Sequence, residues 1–298
     1  MIIEQTEVLN QTTVFNYAEA FERNLGWLSE LEQERLRTSC VAIAGLGGAG
    51  GYQADALARL GVGTFKIADP DIFEISNVNR QIGASVKTLG QPKVEVIRDM
   101  ILSINPEARV ETFYDGVTTE NIDEFLEFSD LVIDGIDYFE HEAKLLLFQK
   151  SREKGITALT CCPLGFGASI IIFSPESMSY ENYFDLRNHM SDREKKLAIG
   201  FGLSPSPFCV KYMDRKAINF ETGRAASVVS GLMLVGALTA SETVKILTTK
   251  GRVYYSPYVY QIDLLTHRLV RNCYRWGMKS PWLRFKRWLV LSVGLGLQ

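Results

Sequence analysis

Residues 41–51 read Val41-Ala42-Ile43-Ala44-Gly45-Leu46-Gly47-Gly48-Ala49-Gly50-Gly51. A short apolar run closed by glycines predicts a buried strand and a tight turn into a helix, here over residues 52–60. Gly61-Val62-Gly63 is a C-terminal stop for that helix. A second strand, Phe65-Lys66-Ile67-Ala68, ends at Asp69. The glycines let backbone N–H groups approach a phosphate at the positive end of the helix, and Asp69 is placed to accept ribose hydroxyls. Alone, this pattern suits any dinucleotide-binding dehydrogenase as well.

Outward from that unit the alternation continues. A helix opens at Gln91-Pro92, with proline in its first turn, and runs to Asn105-Pro106. Strand, helix and strand come next at 109–113, 119–128 and 130–134, then a helix at 138–154 and a strand at 157–161. Upstream, Tyr17, Phe21, Leu25, Leu28, Leu31 and Leu36 recur at roughly helical spacing and predict one helix over residues 16–37. Strands alternating with helices predict an α/β fold, a Rossmann-like, doubly wound, mostly parallel sheet with helices on both faces.

From Ser174 to Arg224 the alternation fails, and the stretch reads as a long irregular excursion of a kind that is usually functional. Residues 225–240 are uncharged, but Glu242 and Lys245 break the run short of the roughly 20 apolar residues of a bilayer span, so a buried helix is expected. Residues 257–270 predict a last strand or hairpin, an antiparallel C-terminal extension. The expected organisation is an N-terminal helical segment (1–37), a nucleotide-binding Rossmann-like core (38–175) and an irregular crossover or substrate loop (176–224). A buried helix and final strands (225–270) complete the same domain, and a basic, apolar tail (271–298) ends the chain.

Of the 298 residues 46% are hydrophobic and 22% charged, with a formal net charge of −3, which describes a folded chain and lacks the basic excess of a dedicated nucleic-acid binder. The total hides an asymmetry. No acidic residue comes after Asp263, and the last 35 residues carry +7 against −10 for the rest. Such a tail suits an acidic partner, RNA or an anionic membrane surface. The opening MIIEQTEVLNQ has no basic start, so no secretory signal is read and a cytoplasmic location is expected. Five cysteines include no C-x-x-C pair, so neither a disulfide framework nor a structural zinc is expected.

Beyond Asp69 the sequence departs from dehydrogenase grammar, since nothing there supplies a proton donor for hydride transfer. The run continues Asp69-Pro70-Asp71, Ser76-Asn77-Val78-Asn79-Arg80-Gln81 and Gly90-Gln91-Pro92-Lys93, and later Asp134-Gly135-Ile136-Asp137 closes another strand. A cation such as Arg80 or Lys93 over a triphosphate neutralises charge that grows in the transition state. Asp137 at a strand's C-terminal end suits magnesium, which binds through one or two carboxylates plus phosphate oxygens.

With these motifs in order, the chain resembles the ThiF/MoeB adenylyltransferases, relatives of the ubiquitin-activating enzymes, from about residue 20 to 265. The resemblance rests on GLGGAGG (45–51), Asp69 and Asp71, SNVNRQ (76–81), GQPK (90–93), INP (104–106) and DGID (134–137). It implies magnesium-ATP-dependent adenylation of a carboxylate, often the C-terminus of a small ubiquitin-like protein or a peptide, with release of pyrophosphate. On that carry-over Gly45, Gly47, Gly48 and Gly50 frame the nucleotide turn, and Asp69, with Asp71 beside it, holds the ribose side. Asn77, Arg80, Gln81 and Lys93 contact phosphates, and Asp137 binds magnesium. The resemblance further implies a homodimer in which an N-terminal arginine, best matched by Arg23, reaches the partner's ATP.

Two departures narrow the expectation. The family's paired zinc cysteines are missing, and the thiol-transfer cysteine would fall near Phe220, where there is none. Cys161, Cys162 and Cys209 leave thioester transfer open. The three histidines, His141, His189 and His267, read as structural or surface residues. Two alternatives to the peptide substrate stay alive: activation or cyclisation of a carboxyl group on a tRNA-bound nucleoside by the same chemistry, and a non-catalytic peptide-binding homologue.

Overall fold

The computed structural model describes residues 14–214 and 226–285. The opening residues, the end of the crossover around Phe220 and the tail with Lys286 and Arg287 lie outside the described residues.

β1 (Cys40–Ala44) pairs in parallel with β2 (Thr64–Ala68) on one side and β4 (Leu131–Asp134) on the other, with Ala44 in register with Ala68 and Asp134. β3 (Arg109–Phe113) flanks β2 and β5 (Thr157–Leu164) flanks β4, both parallel. Beyond β5 the pairing turns antiparallel through β6 (Gly167–Phe173), β7 (Tyr258–Asp263) and β8 (Arg268–Cys273), giving one eight-stranded sheet in the order β3-β2-β1-β4-β5-β6-β7-β8. The doubly wound, mostly parallel sheet and its antiparallel extension are therefore present.

Period-two alternation assigns the two faces. Val41, Ile43, Phe65, Ile67, Leu131 and Ile133 point to α2 (Glu30–Thr38), α3 (Gly48–Arg59), α4 (Lys93–Ile104) and α9 (Val229–Thr248). Ala42, Ala44, Ala68, Val132 and Ala158 point to α5 (Ile122–Leu126), α6 (His141–Glu153), α7 (Tyr180–Phe184) and α8 (Asp192–Leu203). Alanines dominate this second face of the sheet, and Phe125, Phe148, Tyr180, Tyr183 and Phe184 fill the room they leave.

Three expectations are corrected. The single helix over 16–37 is broken into α1 (Tyr17–Ala20), a 3₁₀ turn at Glu22–Asn24 and α2. Gly26 sits at φ +99°, and a capping box between Ser29 and Glu32 starts a fresh helix, so Leu31 is 84% exposed despite its helical spacing. The strand at 157–161 runs on to Leu164 and reverses at Gly165 (φ +61°) into β6. The crossover is not irregular in its described part. Ser179 caps α7, and a second capping box, Ser191 with Glu194, starts the twelve-residue α8.

α9 is long and apolar enough to cross a membrane by length and composition. It buries one face, through Gly231, Leu232, Val235, Gly236, Thr239, Thr243 and Leu247, rather than its whole circumference, and Met233 is exposed. A Cβ on Gly236 would lie 2.8 Å from Tyr52 O, so the missing side chain sets how closely α9 and α3 approach.

Candidate active site

The strand order reverses at β1: β2 lies to one side and β4 to the other. In open α/β sheets the crevice at the carboxyl ends of such strands is where ligands bind. Here it is built from Gly45–Gly48 and Asp134–Asp137. Gly45 takes φ +84°, and a Cβ on Gly50 would sit 1.7 Å from Gly45 O. A Cβ on Gly135 would meet Gly45 O at 2.5 Å and Gly50 Cα at 2.9 Å. Three backbones thus touch at one point, which brings the ends of β1 and β4 to the start of α3.

α3 begins at Gly48, with Gly47 as an N-cap that supplies no side-chain hydrogen bond. Its first N–H groups therefore lack a side-chain cap, and with the helix dipole they favour an anion. Gly48 is roofed by Leu232 of α9, whereas the nearest atom to a Cβ on Gly47 would be Gln81 Nε2 at 3.6 Å. Gln81 is buried, and its Oε1 has no hydrogen-bond partner among the described residues. An orphaned amide oxygen beside an uncapped helix start fits a nucleotide ligand.

Asp69 and Asp71 face Lys93 across this turn. Asp69 Oδ2 accepts from Leu46 N at 2.6 Å and its Oδ1 from Asp71 N at 2.9 Å. Burial pushes the Asp69 carboxyl up, while the Lys93 cation and these two N–H donors oppose that rise. Lys93, buried at the first position of α4, donates to Asp71 Oδ2 at 2.7 Å and lies 3.7 Å from Asp69 Oδ1. Asp69 thus braces the glycine turn itself. Asn77 closes its own loop by accepting from Glu74 N, and Arg80 donates to Ser76 O and Asn79 Oδ1. Asn79 in turn donates to Ser227 O just before α9.

At the end of β4, Asp137 is exposed and accepts from Phe139 N through one oxygen. Exposure leaves room for a magnesium ion held jointly with phosphate oxygens. Asp134, one residue before Gly135, is 2% exposed, and both its oxygens accept from Lys144 Nζ at 2.8 Å. This pair escapes sequence reasoning because a lysine in the first turn of α6 looks like any solvated helix lysine. Its one signal is that Lys144 falls on the same helical face as Leu147 and Phe148.

The glycines, Gln81, Asp69, Asp71 and Lys93 are thus brought together around one turn, with Asp137 at the adjacent strand end. Arg23 is not. It is exposed on the 3₁₀ turn, and its neighbour Asn24 donates to Leu60 O. Leu60 closes α3 at the end opposite the turn, about 18 Å away for a helix of twelve residues. Burial pushes Cys162 up to about 12 and Cys161 well above its ordinary value, and it raises Cys209 too, which disfavours the thiolate at these three positions.

The ThiF family profile matches residues 21–279. Over 127 residues the chain is 39% identical to a tRNA threonylcarbamoyladenosine dehydratase of Bacillus subtilis (strain 168), covering 42% of this chain and 50% of the relative. It is 30% identical over 224 residues to a probable molybdopterin-synthase adenylyltransferase of Porphyra purpurea, covering 73% of this chain and 57% of the relative. These matches span about half the length of the curated relatives. Among solved structures, the crystal structure of PaaA superposes with a TM-score of 0.68 at 21% identity, covering 88% of this chain and 84% of that one, a likeness of fold.

Proposed function

The chain belongs to the ThiF family, and on that premise we propose that it adenylates a carboxylate with ATP and releases pyrophosphate. Adenylyltransferase-type chemistry and ATP use come with the family. The carboxylate is, in this reading, the C-terminus of a peptide or small ubiquitin-like protein. The observation that carries the reading is the uncapped start of α3 beside the orphaned Gln81 oxygen, with Lys93 and Asp137 on the same sheet edge.

Attack of a carboxylate oxygen on the α-phosphate needs alignment and charge neutralisation more than acid or base groups. The first N–H groups of α3 hold phosphate oxygens, the Gln81 amide nitrogen beside Gly47 can donate to them, and its unpartnered oxygen accepts from a donor such as a ribose hydroxyl. Lys93, kept in place by Asp69 and Asp71, offers a fixed cation, and Arg80 a second one from the neighbouring loop. Asp137, exposed at the end of β4, would hold a magnesium ion, which would supply charge neutralisation for the departing pyrophosphate. The α–β phosphoanhydride bond breaks as the new P–O bond forms, pyrophosphate leaves, and the carboxylate remains as a mixed anhydride with AMP. The raised thiols favour handing the acyl group to an external nucleophile rather than to Cys161, Cys162 or Cys209.

A second reading, a carboxyl group on a tRNA-bound nucleoside, draws on the 39% identical relative and on the basic run that starts at Arg268. ATP–pyrophosphate exchange separates the two: stimulation by a peptide or carrier-protein C-terminus supports the first, stimulation by modified tRNA the second. Lys93→Ala and Asp137→Ala should each lower exchange roughly a hundredfold or more in a folded protein, the usual effect of losing one transition-state contact. Wild-type exchange in either would remove the assignment.

The working unit in this reading is a homodimer. Arg23 sits too far from its own chain's turn and lies between exposed apolar residues, Trp27 among them, that suit a second copy. Mixing Arg23→Ala with Lys93→Ala protein should restore part of the exchange through one intact site per heterodimer. No recovery in a mixture shown to exchange subunits would place Arg23 outside the reaction.

A further inference from the structure

We propose that His141, Glu142 and Asp192 form a site for one divalent transition-metal ion of the zinc type, joining α8 to the loop that carries Asp137. Their ligand atoms all lie within 4.8 Å of one another. His141 Nε2 and Asp192 Oδ1 are 3.6 Å apart. Two ligands each about 2.1 Å from a tetrahedral ion stand roughly 3.4 Å from one another, so this pair is already at sharing distance. Glu142 completes the set with a carboxylate oxygen within 4.8 Å of both.

The imidazole separates this group from an ordinary cluster of surface acids. His141 is 6% exposed, and its Nε2 is buried with no hydrogen-bond partner among the described residues. Buried polar atoms are almost always satisfied, so an orphan facing two carboxylates asks what fills the position. Both carboxylates are exposed, so neither is desolvated before an ion arrives. Charge balance agrees. His141 and Asp192 open α6 and α8, and each helix start carries about half a positive charge. Two carboxylates outweigh that by about one negative charge.

One imidazole and two carboxylates select a borderline ion such as Zn²⁺ over Mg²⁺ or Ca²⁺, which prefer all-oxygen sets. Three protein ligands leave the fourth position to water. The proposal runs against the expectation of no structural zinc, which rests on cysteine spacing; the ligands here are one imidazole and two carboxylates. The place gives the ion a structural effect. Tyr138 Oη donates to Lys196 O, and Lys196 Nζ stands 5.8 Å from the Phe139 ring. The ion completes this set of contacts by which α8 holds the segment between Asp137 and α6. The inference is independent of the adenylation reading.

The test is titration of the full-length, chelator-treated protein with Zn²⁺ by calorimetry, repeated with Mg²⁺, and with Co²⁺ read by absorption. We expect one Zn²⁺ per chain, at least tenfold weaker binding in Asp192→Asn and in Glu142→Gln, and loss of binding in His141→Ala. Both carboxylates are exposed, so their variants should fold even where His141→Ala does not, and unchanged circular dichroism checks this. A Co²⁺ spectrum without thiolate charge transfer supports the assignment. Absence of stoichiometric binding, unchanged Zn²⁺ affinity in Asp192→Asn, equal affinity for Mg²⁺, or a thiolate band from the cysteines would each overturn it.

Discussion

Lys144→Met tests how the end of β4 is held. Lys144 Nζ lies 2.8 Å from both oxygens of Asp134, whose residue is 2% exposed. Methionine keeps the length and apolar stem of lysine, so packing changes little. The Asp134 carboxylate loses the cation bonded to both its oxygens and keeps the Ile136 N–H at 3.1 Å. Removing one member of a buried pair leaves an uncompensated charge and costs about 3–5 kcal/mol, more than the pair itself contributes. For a protein with a total stability of about 5–15 kcal/mol this is a large fraction. In urea, with an m-value near 3 kcal/mol/M, the midpoint should fall by roughly 1 M or more. The double variant Asp134→Asn/Lys144→Met should recover much of the loss, because no lone charge remains. The readout is urea unfolding followed by circular dichroism at pH 7 for wild type, both single variants and the double. A Lys144→Met midpoint within roughly 0.2 M of wild type, about the resolution of such a fit, would refute the reasoning. So would a double variant weaker than both singles.

Gly50→Ala should lower the melting temperature by about 6 °C or more, since its Cβ would lie 1.7 Å from Gly45 O, a backbone atom with no room to move. Gly90→Ala, with nothing within 4 Å and only the cost of φ +80°, is the control, and equal shifts in a thermal melt would contradict the close-contact argument. On iodoacetamide treatment of the folded protein at pH 8, the exposed Cys273 should be labelled long before Cys162 by mass spectrometry. Burial pushes Cys162 to about 12, and such a thiol is roughly one part in ten thousand thiolate at that pH. Equal labelling rates would show an open site. Burial raises the Asp263 carboxyl, but hydrogen bonds from Tyr212, Thr266 and Leu265 N outweigh it and hold the group below its ordinary value. A depressed folded value contributes stability above about pH 4 that fades as pH falls below it. Tyr212→Phe should thus cost about 1.5–3 kcal/mol at pH 7 and less at pH 3, and a pH-independent cost in urea unfolding would count against the Asp263 link.

The features legible in the chain are those the backbone demands locally. The glycines of 45–51 are required by φ at Gly45 and by contact at Gly50, and a turn of that kind can be read from spacing alone. Asp69, Asp71 and Lys93 are legible as a set, but not their mutual contacts, because those depend on where α4 docks. Asp134 and Lys144 are hidden for a related reason: burial of a lysine is decided by what packs over it. β6 is hidden because the reversal at Gly165 breaks the expected strand–helix order. α8 carries a local signal, Ser191 three residues before Glu194, but its charged first half masks the apolar stripe that would mark it as a packed helix.

The roof over Gly48 is made late. Leu232 comes after the glycine turn by roughly 180 residues, and a ribosome adding about 5–20 residues per second takes about 10–40 s to reach it. Through that interval the turn and the apolar flank of α3 stand without their cover. The groove that receives α9 is made of α3, β5 and β6, all already synthesised when α9 emerges. The longest helix among the described residues therefore meets a finished docking surface as it appears, and its wait in water is short compared with that of the helix it covers.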